Sequence, residues 1–206
     1  HAGQALDFYF GDVPAAIVPN LQPLVVLINH TAECGAVLVQ RWKIDGVPRV
    51  ILSKTLRLKH EISLRARLKK ESARLKALAQ KETPGEARRV AVRASEEALS
   101  SGSLAAMRLF VQIRELVAKC QPKAIVLTHE GHAWERLAFA AARSVRPEVR
   151  CIGYQHAALF RLQHAIRRRL AAEYNPDLIL TAGIVGKAQL EASPALRGIP
   201  IDIVGS

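Results

Sequence analysis

Histidines and one carboxylate collect at the ends of short apolar runs. Asn29-His30 follows Leu24-Val25-Val26-Leu27-Ile28, and His129-Glu130-Gly131-His132 follows Ala124-Ile125-Val126-Leu127-Thr128. His156 follows Arg150-Cys151-Ile152-Gly153-Tyr154-Gln155, and Leu178-Ile179-Leu180-Thr181 ends in Ala182-Gly183. The chain holds seven histidines, so finding four of them (His30, His129, His132 and His156) at such ends is an enrichment. Imidazole and carboxylate groups held together can take and return a proton, which is the chemistry of general acid–base catalysis. Glu130 is the first candidate for a base and His156 the second. His30, His129, His132, Gln155 and Gly183 share these ends and are candidates for substrate contacts. Gly131 allows the backbone to approach a ligand closely. A helix starting near His132 would aim free N–H groups at the same place, which suits an anion such as phosphate. Trp134 reads as packing against the sheet, and Gly183 opens a second helix.

Other chemistries find less support. His129-x-x-His132 is not the His-Glu-x-x-His pattern of zinc proteases, and no Cys-x-x-Cys pair exists. A set of His30, Cys34, His129 and His156 is the one conceivable metal site, and neither a metal nor another cofactor is expected. Gly-x-Ser-x-Gly, the Walker phosphate loop and Gly-x-Gly-x-x-Gly are all absent. The three cysteines, Cys34, Cys120 and Cys151, are odd in number and widely spaced, which argues for unpaired thiols in a reducing compartment.

The elements that must position these residues follow from periodicity. Short, continuous apolar runs read as buried strands at 24–29, 49–52, 124–128, 150–155, 178–181 and 201–204. Helical patterns lie between them, at about 32–40, 132–145, 158–173 and 183–192, although Val37–Val39 could equally be strand. Alternation of this kind predicts an α/β fold, a Rossmann-like parallel sheet with helices on both faces. In such sheets ligands bind beyond the carboxyl ends of the strands, where the histidines fall. Residues 54–118 read as a long basic helical insertion. Its first helix, 55–81, places Leu64, Leu68, Leu75 and Leu78 on one face and ends at Thr83-Pro84-Gly85. A second helical run starts at Glu86, and Ser103 is suited to cap an apolar helix after it.

At 206 residues the chain fits a single domain, 1–206, and half of its residues are hydrophobic, which excludes intrinsic disorder. No apolar run approaches the roughly 18–20 residues of a membrane span. The first residues lack the features of a signal peptide and an initiator Met, and the last follow a strand-like run. These ends suggest a piece of a longer protein. Formal charge is +12, and residues 54–93 hold thirteen basic and four acidic residues, so +9 lies in that stretch.

Thr128-His129-Glu130-Gly131-His132-Ala133-Trp134-Glu135, Ile152-Gly153-Tyr154-Gln155-His156, Asn175-Pro176-Asp177 with Leu180-Thr181-Ala182-Gly183, and Val204-Gly205-Ser206 resemble, in this order, one half of a GT-B glycosyltransferase. The likeness is to enzymes of bacterial surface-polysaccharide biosynthesis. It spans 120–206 and extends loosely over 1–120 through Tyr9-Phe10-Gly11-Asp12 and Leu27-Ile28-Asn29-His30. The resemblance implies two facing Rossmann-like lobes, the first holding the acceptor and a catalytic base, the second the nucleotide-sugar donor. This chain would be the first lobe and, alone, inactive. Its implied partners are a nucleotide-sugar bound mainly by the other lobe and a carbohydrate or lipid-linked acceptor. The +9 stretch could then meet an anionic membrane surface, with the protein in the cytoplasm or at the inner face of the cytoplasmic membrane. Two other readings compete: a sugar-nucleotide epimerase of the same architecture, and a nucleic-acid-binding module using 54–93. The absence of any Phe, Trp or Tyr in that stretch to stack on bases weighs against the latter.

Overall fold

The computed structural model describes residues 9–18, 21–28, 34–41, 46–160 and 163–205. The architecture is mixed α/β, with parallel strands flanked by helices in the Rossmann-like manner. Two compact units are present, 1–55 and 56–206. In the first, a short helix α1 (Val13–Ala16) precedes β1 (Val25–Ile28), α2 (Gly35–Arg41) and β2 (Arg49–Leu52). β1 and β2 pair in parallel from Val25–Arg49 to Ile28–Leu52, with α2 between them in sequence. Gly46, three residues before β2, has left-handed backbone at φ +72°, which glycine adopts readily. His30 lies outside the described residues.

The second unit begins with three helices, α3 (Leu58–Lys81), α4 (Glu86–Glu97) and α5 (Ser101–Cys120). They are followed by β3 (Ala124–Thr128), α6 (Ala133–Arg143), β4 (Arg150–Gln155), β5 (Leu178–Thr181), α7 (Ile184–Glu191) and β6 (Ile201–Ile203). The sheet order is β3-β4-β5-β6, parallel throughout. Side chains alternate across a strand, so Ile125, Leu127, Cys151, Gly153, Ile179 and Ile201 share one face through the observed register. That face holds the core. Val117 of α5, with Phe139 and Ala142 of α6, closes over Cys151, Ile125 and Leu127. Leu190 of α7, Ile166 and Leu196 close over Ile179 and Ile201. Burial pushes the Cys151 thiol up to about 12, so it behaves as an inert apolar group, whereas Cys34 and Cys120 are exposed. Among the described residues no helix is long and apolar enough to cross a membrane.

Three elements differ from expectation. Of the helix expected at 158–173, the described residues 158–160 and 163–173 are irregular, with a 3₁₀ turn at Ala172–Tyr174. Its carbonyls have another donor: the guanidinium of Arg136, buried in α6, donates to the carbonyls of Ala165, Ile166, Arg168 and Tyr174 and to Oδ1 of Asn175. Asn175 also clasps the chain, accepting from Leu170 N–H and donating to the Leu170 and Ala171 carbonyls. Secondly, the cap of α5 is Ser100, not Ser103: its hydroxyl oxygen accepts from Ser103 N–H at 3.1 Å. Such a cap contributes about 1 kcal/mol. Thirdly, the apolar row of α3 ends on Ala79 instead of Leu78. Leu64 and Ala79 are buried, Leu68 and Leu75 half-buried, and Leu78 is exposed. The four inward positions, 64, 68, 75 and 79, keep the 4-7-4 spacing of one helical stripe facing α4. Trp134 is half-buried, and the aromatic that enters the core is Phe139.

α3 is tied to α4 by the Ser72 hydroxyl, which donates to the Ser95 carbonyl, and to α5 by Glu61. The Glu61 carboxylate accepts from Arg108 Nε and Nη2 at 2.7 and 2.8 Å and from Leu56 N–H at 2.9 Å. These bonds, with the Arg108 side-chain contact largest, hold its pKa down from 4.5 to about 2. Because the folded value is depressed, the stabilisation is whole above pH 4.5 and fades as pH falls towards 2. Glu61→Gln should therefore lower the melting temperature at neutral pH. The gap between variant and native protein should close progressively below pH 4.5 in thermal melts; a gap independent of pH would show that the charge is not what ties α3 to α5.

Candidate functional site

Glu130, His156 and Gly183 follow three adjacent parallel strands, and the register that pairs Thr128 with Tyr154 and Gln155 with Thr181 brings them to one edge of the sheet. The loop after β3 is built by a carboxylate to which the sequence reading gave no role. Glu135 is only 1% exposed and accepts from the backbone N–H groups of Glu130, Gly131 and His132 at 2.7–3.1 Å. It stands at the third position of α6, where an acid characteristically reaches back to the capping residue. His132 in the capping place, where Ser or Thr is usual, masked that signal. A second constraint comes from Gly131, at φ +85°, which packs on the chain at Ala165–Ile166; a Cβ there would lie 2.2 Å from the Ala165 carbonyl carbon.

With the loop held, Glu130 presents its carboxylate between two imidazoles. Its Oε2 lies 3.2 Å from His132 Nε2, and its Oε1 lies 3.9 Å from His156 Nε2. His132 is exposed, whereas Glu130 and His156 are partly covered, and the His156 ring leans on Tyr154 at 6.1 Å. The arrangement is a carboxylate with two titratable neighbours at a solvent-facing sheet edge, able to accept a proton from an incoming hydroxyl and share it with an imidazole.

Two expected contacts do not belong to this edge. His129 is completely buried: its ring lies against Phe139 at 5.8 Å and over Gly153, and its Nδ1 is 3.5 Å from Glu135 Oε2. Burial drives its pKa down and favours the neutral ring, and the Glu135 carboxylate only partly opposes it. Gln155 is also buried; its amide donates to the Ala157 carbonyl and its Oε1 meets the close approach of Gly186. Both face the core because they continue the inward parity of their strands, 125-127-129 and 151-153-155. The anion cradle expected at the start of α6 is likewise altered. The N–H groups of residues 130–132 are already taken by Glu135, whose charge would repel a phosphate at that spot. Gly183 begins α7 in extended backbone with open space around it, and Thr181 Oγ1 donates to its carbonyl at 3.1 Å.

A depression of about 300 Å³ opens beside Gly131, lined by Ala133, Leu137, Leu170, Tyr174 and Arg168. Among the described residues no group of three His, Cys, Asp or Glu is placed to hold a metal ion. Compared with protein-family models, with curated proteins and with solved structures, the chain matches none.

Proposed function

We propose that this chain is the acceptor-side lobe of a two-lobed glycosyltransferase acting in surface-carbohydrate synthesis, with Glu130 as the base. The observation that carries the reading is the Glu130 carboxylate set between His132 and His156 at the carboxyl edge of a parallel sheet. In the reaction, the acceptor hydroxyl gives its proton to Glu130 while its oxygen bonds to the anomeric carbon of the donor sugar. The bond from that carbon to the nucleotide diphosphate breaks, and the diphosphate leaves with the electron pair. His132 and His156 hold the carboxylate and receive part of the proton's charge. The depression beside Gly131, with Tyr174 and Arg168 in its wall, is at the small end of ligand pockets of roughly 300–1,000 Å³. On this reading the donor belongs to another lobe, the acceptor is a free or lipid-linked carbohydrate, and the protein works in the cytoplasm or at the inner face of its membrane.

Titration of the chain with saccharides, followed through the imidazole NMR signals, tests the proposal. Acceptor sugars should move the His132 and His156 signals and leave His129 unmoved, while a nucleoside diphosphate should move none. A nucleotide-sugar that shifts the same two imidazoles as strongly as a free saccharide would favour the epimerase reading instead. No response to any carbohydrate would remove the acceptor role.

A further inference from the structure

The two acids of α3 are both engaged, Glu61 with Arg108 and Glu71 with Arg74. Its apolar stripe, Leu64, Leu68, Leu75 and Ala79, is turned to α4. What remains, an arc of about 200° at ~3.6 residues per turn, holds cations and no acid. Lys59, Arg67, Lys69, Lys70, Lys76 and Lys81 lie on it, all exposed. None of these six makes an ion pair among the described residues. From Lys59 to Lys81 the helix runs about 33 Å at ~1.5 Å per residue. The same arc exposes Leu58 and Ile62, 77% and 60% accessible. α4 differs: its Arg89 and Arg93 are opposed by Glu86, Glu96 and Glu97 on the same helix.

We propose that the solvent-facing arc of α3 docks on a membrane surface rich in anionic phospholipid. Charge complementarity over several turns supplies the attraction, because a bilayer presents negative charge over the whole length of the helix. Leu58 and Ile62 add the distinguishing feature: apolar side chains among cations fit the boundary between headgroups and acyl chains. Single-stranded nucleic acid would offer the same phosphates, but its binding surfaces use aromatic side chains for stacking, and residues 54–93 contain no Phe, Trp or Tyr. The proposal is independent of the catalytic reading and stands or falls on binding alone.

Co-sedimentation of the 206-residue chain with vesicles of phosphatidylcholine, alone or mixed with phosphatidylglycerol, decides it. Binding should require phosphatidylglycerol and weaken as salt shortens the screening length from about 10 Å at 0.1 M to about 3 Å at 1 M. Gln at Lys69, Lys70, Lys76 and Lys81 keeps the helix, since Gln is a good helix former. At about fivefold per basic residue near an anionic surface, this quadruple variant should lose ~100-fold or more in affinity. A control quartet, Gln at Arg88, Arg114, Lys119 and Lys123, removes the same charge elsewhere and should lose far less; circular dichroism establishes that both fold. Equal losses in the two quartets would reduce the effect to net charge and overturn the proposal. So would equal binding to both vesicle types, or tighter binding to single-stranded RNA than to anionic vesicles in the same buffer.

Discussion

Glu130→Gln should reduce the proposed sugar transfer by about 100-fold or more, the lower range of what a positioned base contributes. The assay is made on the chain joined to the proposed donor-binding lobe, with acceptor and nucleotide-sugar both saturating. Gln keeps the shape of the side chain and can still meet His132 at the 3.2 Å seen for Glu130, but it cannot take a proton. The loss should therefore fall on kcat, with the KM for acceptor little changed. The loop itself is independent of the Glu130 carboxylate, because its backbone is held by Glu135, so the variant should fold normally. Unchanged kcat in a folded Glu130→Gln variant would exclude Glu130 as base. A large loss in His156→Gln under the same conditions would transfer the role to that residue.

The second large effect is on stability. Gly131→Ala forces a side chain into left-handed backbone at φ +85° and places its Cβ 2.2 Å from backbone at Ala165. Backbone strain of this kind costs about 1–3 kcal/mol, and overpacking against main chain about as much again. The sum, ~2–6 kcal/mol, is a large part of the roughly 5–15 kcal/mol that holds a domain together. Urea unfolding should show it as a much lower midpoint with an unchanged slope. Gly183→Ala is the matched control. Gly183 has extended backbone and nothing near its Cβ position, so its substitution should shift the midpoint little. Equal, small shifts would mean that the chain at Ala165–Ile166 yields easily.

The strands were the most legible part of the sequence, since short β-branched runs bounded by polar residues admit few other structures; β2, β3, β4 and β5 match their expected limits. The crossover after β4 was not, because its conformation is set by a side chain thirty residues away. A guanidinium from α6 takes the carbonyls that a helix would use internally. The candidate site was legible in position but only partly in direction. Strand ends locate Glu130 and His156, yet the end of a strand alone does not say which face the next residue takes. Counting parity from Ile125 and Cys151 separates the inward His129 and Gln155 from the outward Glu130 and His156. Glu135 escaped because its work is done on backbone N–H groups, which leave no mark in a pattern of side-chain types.

Arg136 and Gly131 have a joint mechanical meaning. One binds the crossover after β4 through its carbonyls, and the other lies against the same stretch at Ala165–Ile166, so the loop after β3 and the crossover are interlocked. The loop carrying Glu130 cannot swing as a lid without dragging residues 165–175 and breaking the bonds to a buried cation. A ligand arriving there meets groups already in register, and little rotational freedom is left to freeze on binding. Closure over a ligand bound here would then have to come from a body that moves as a whole against this edge, while the edge itself serves as the anvil.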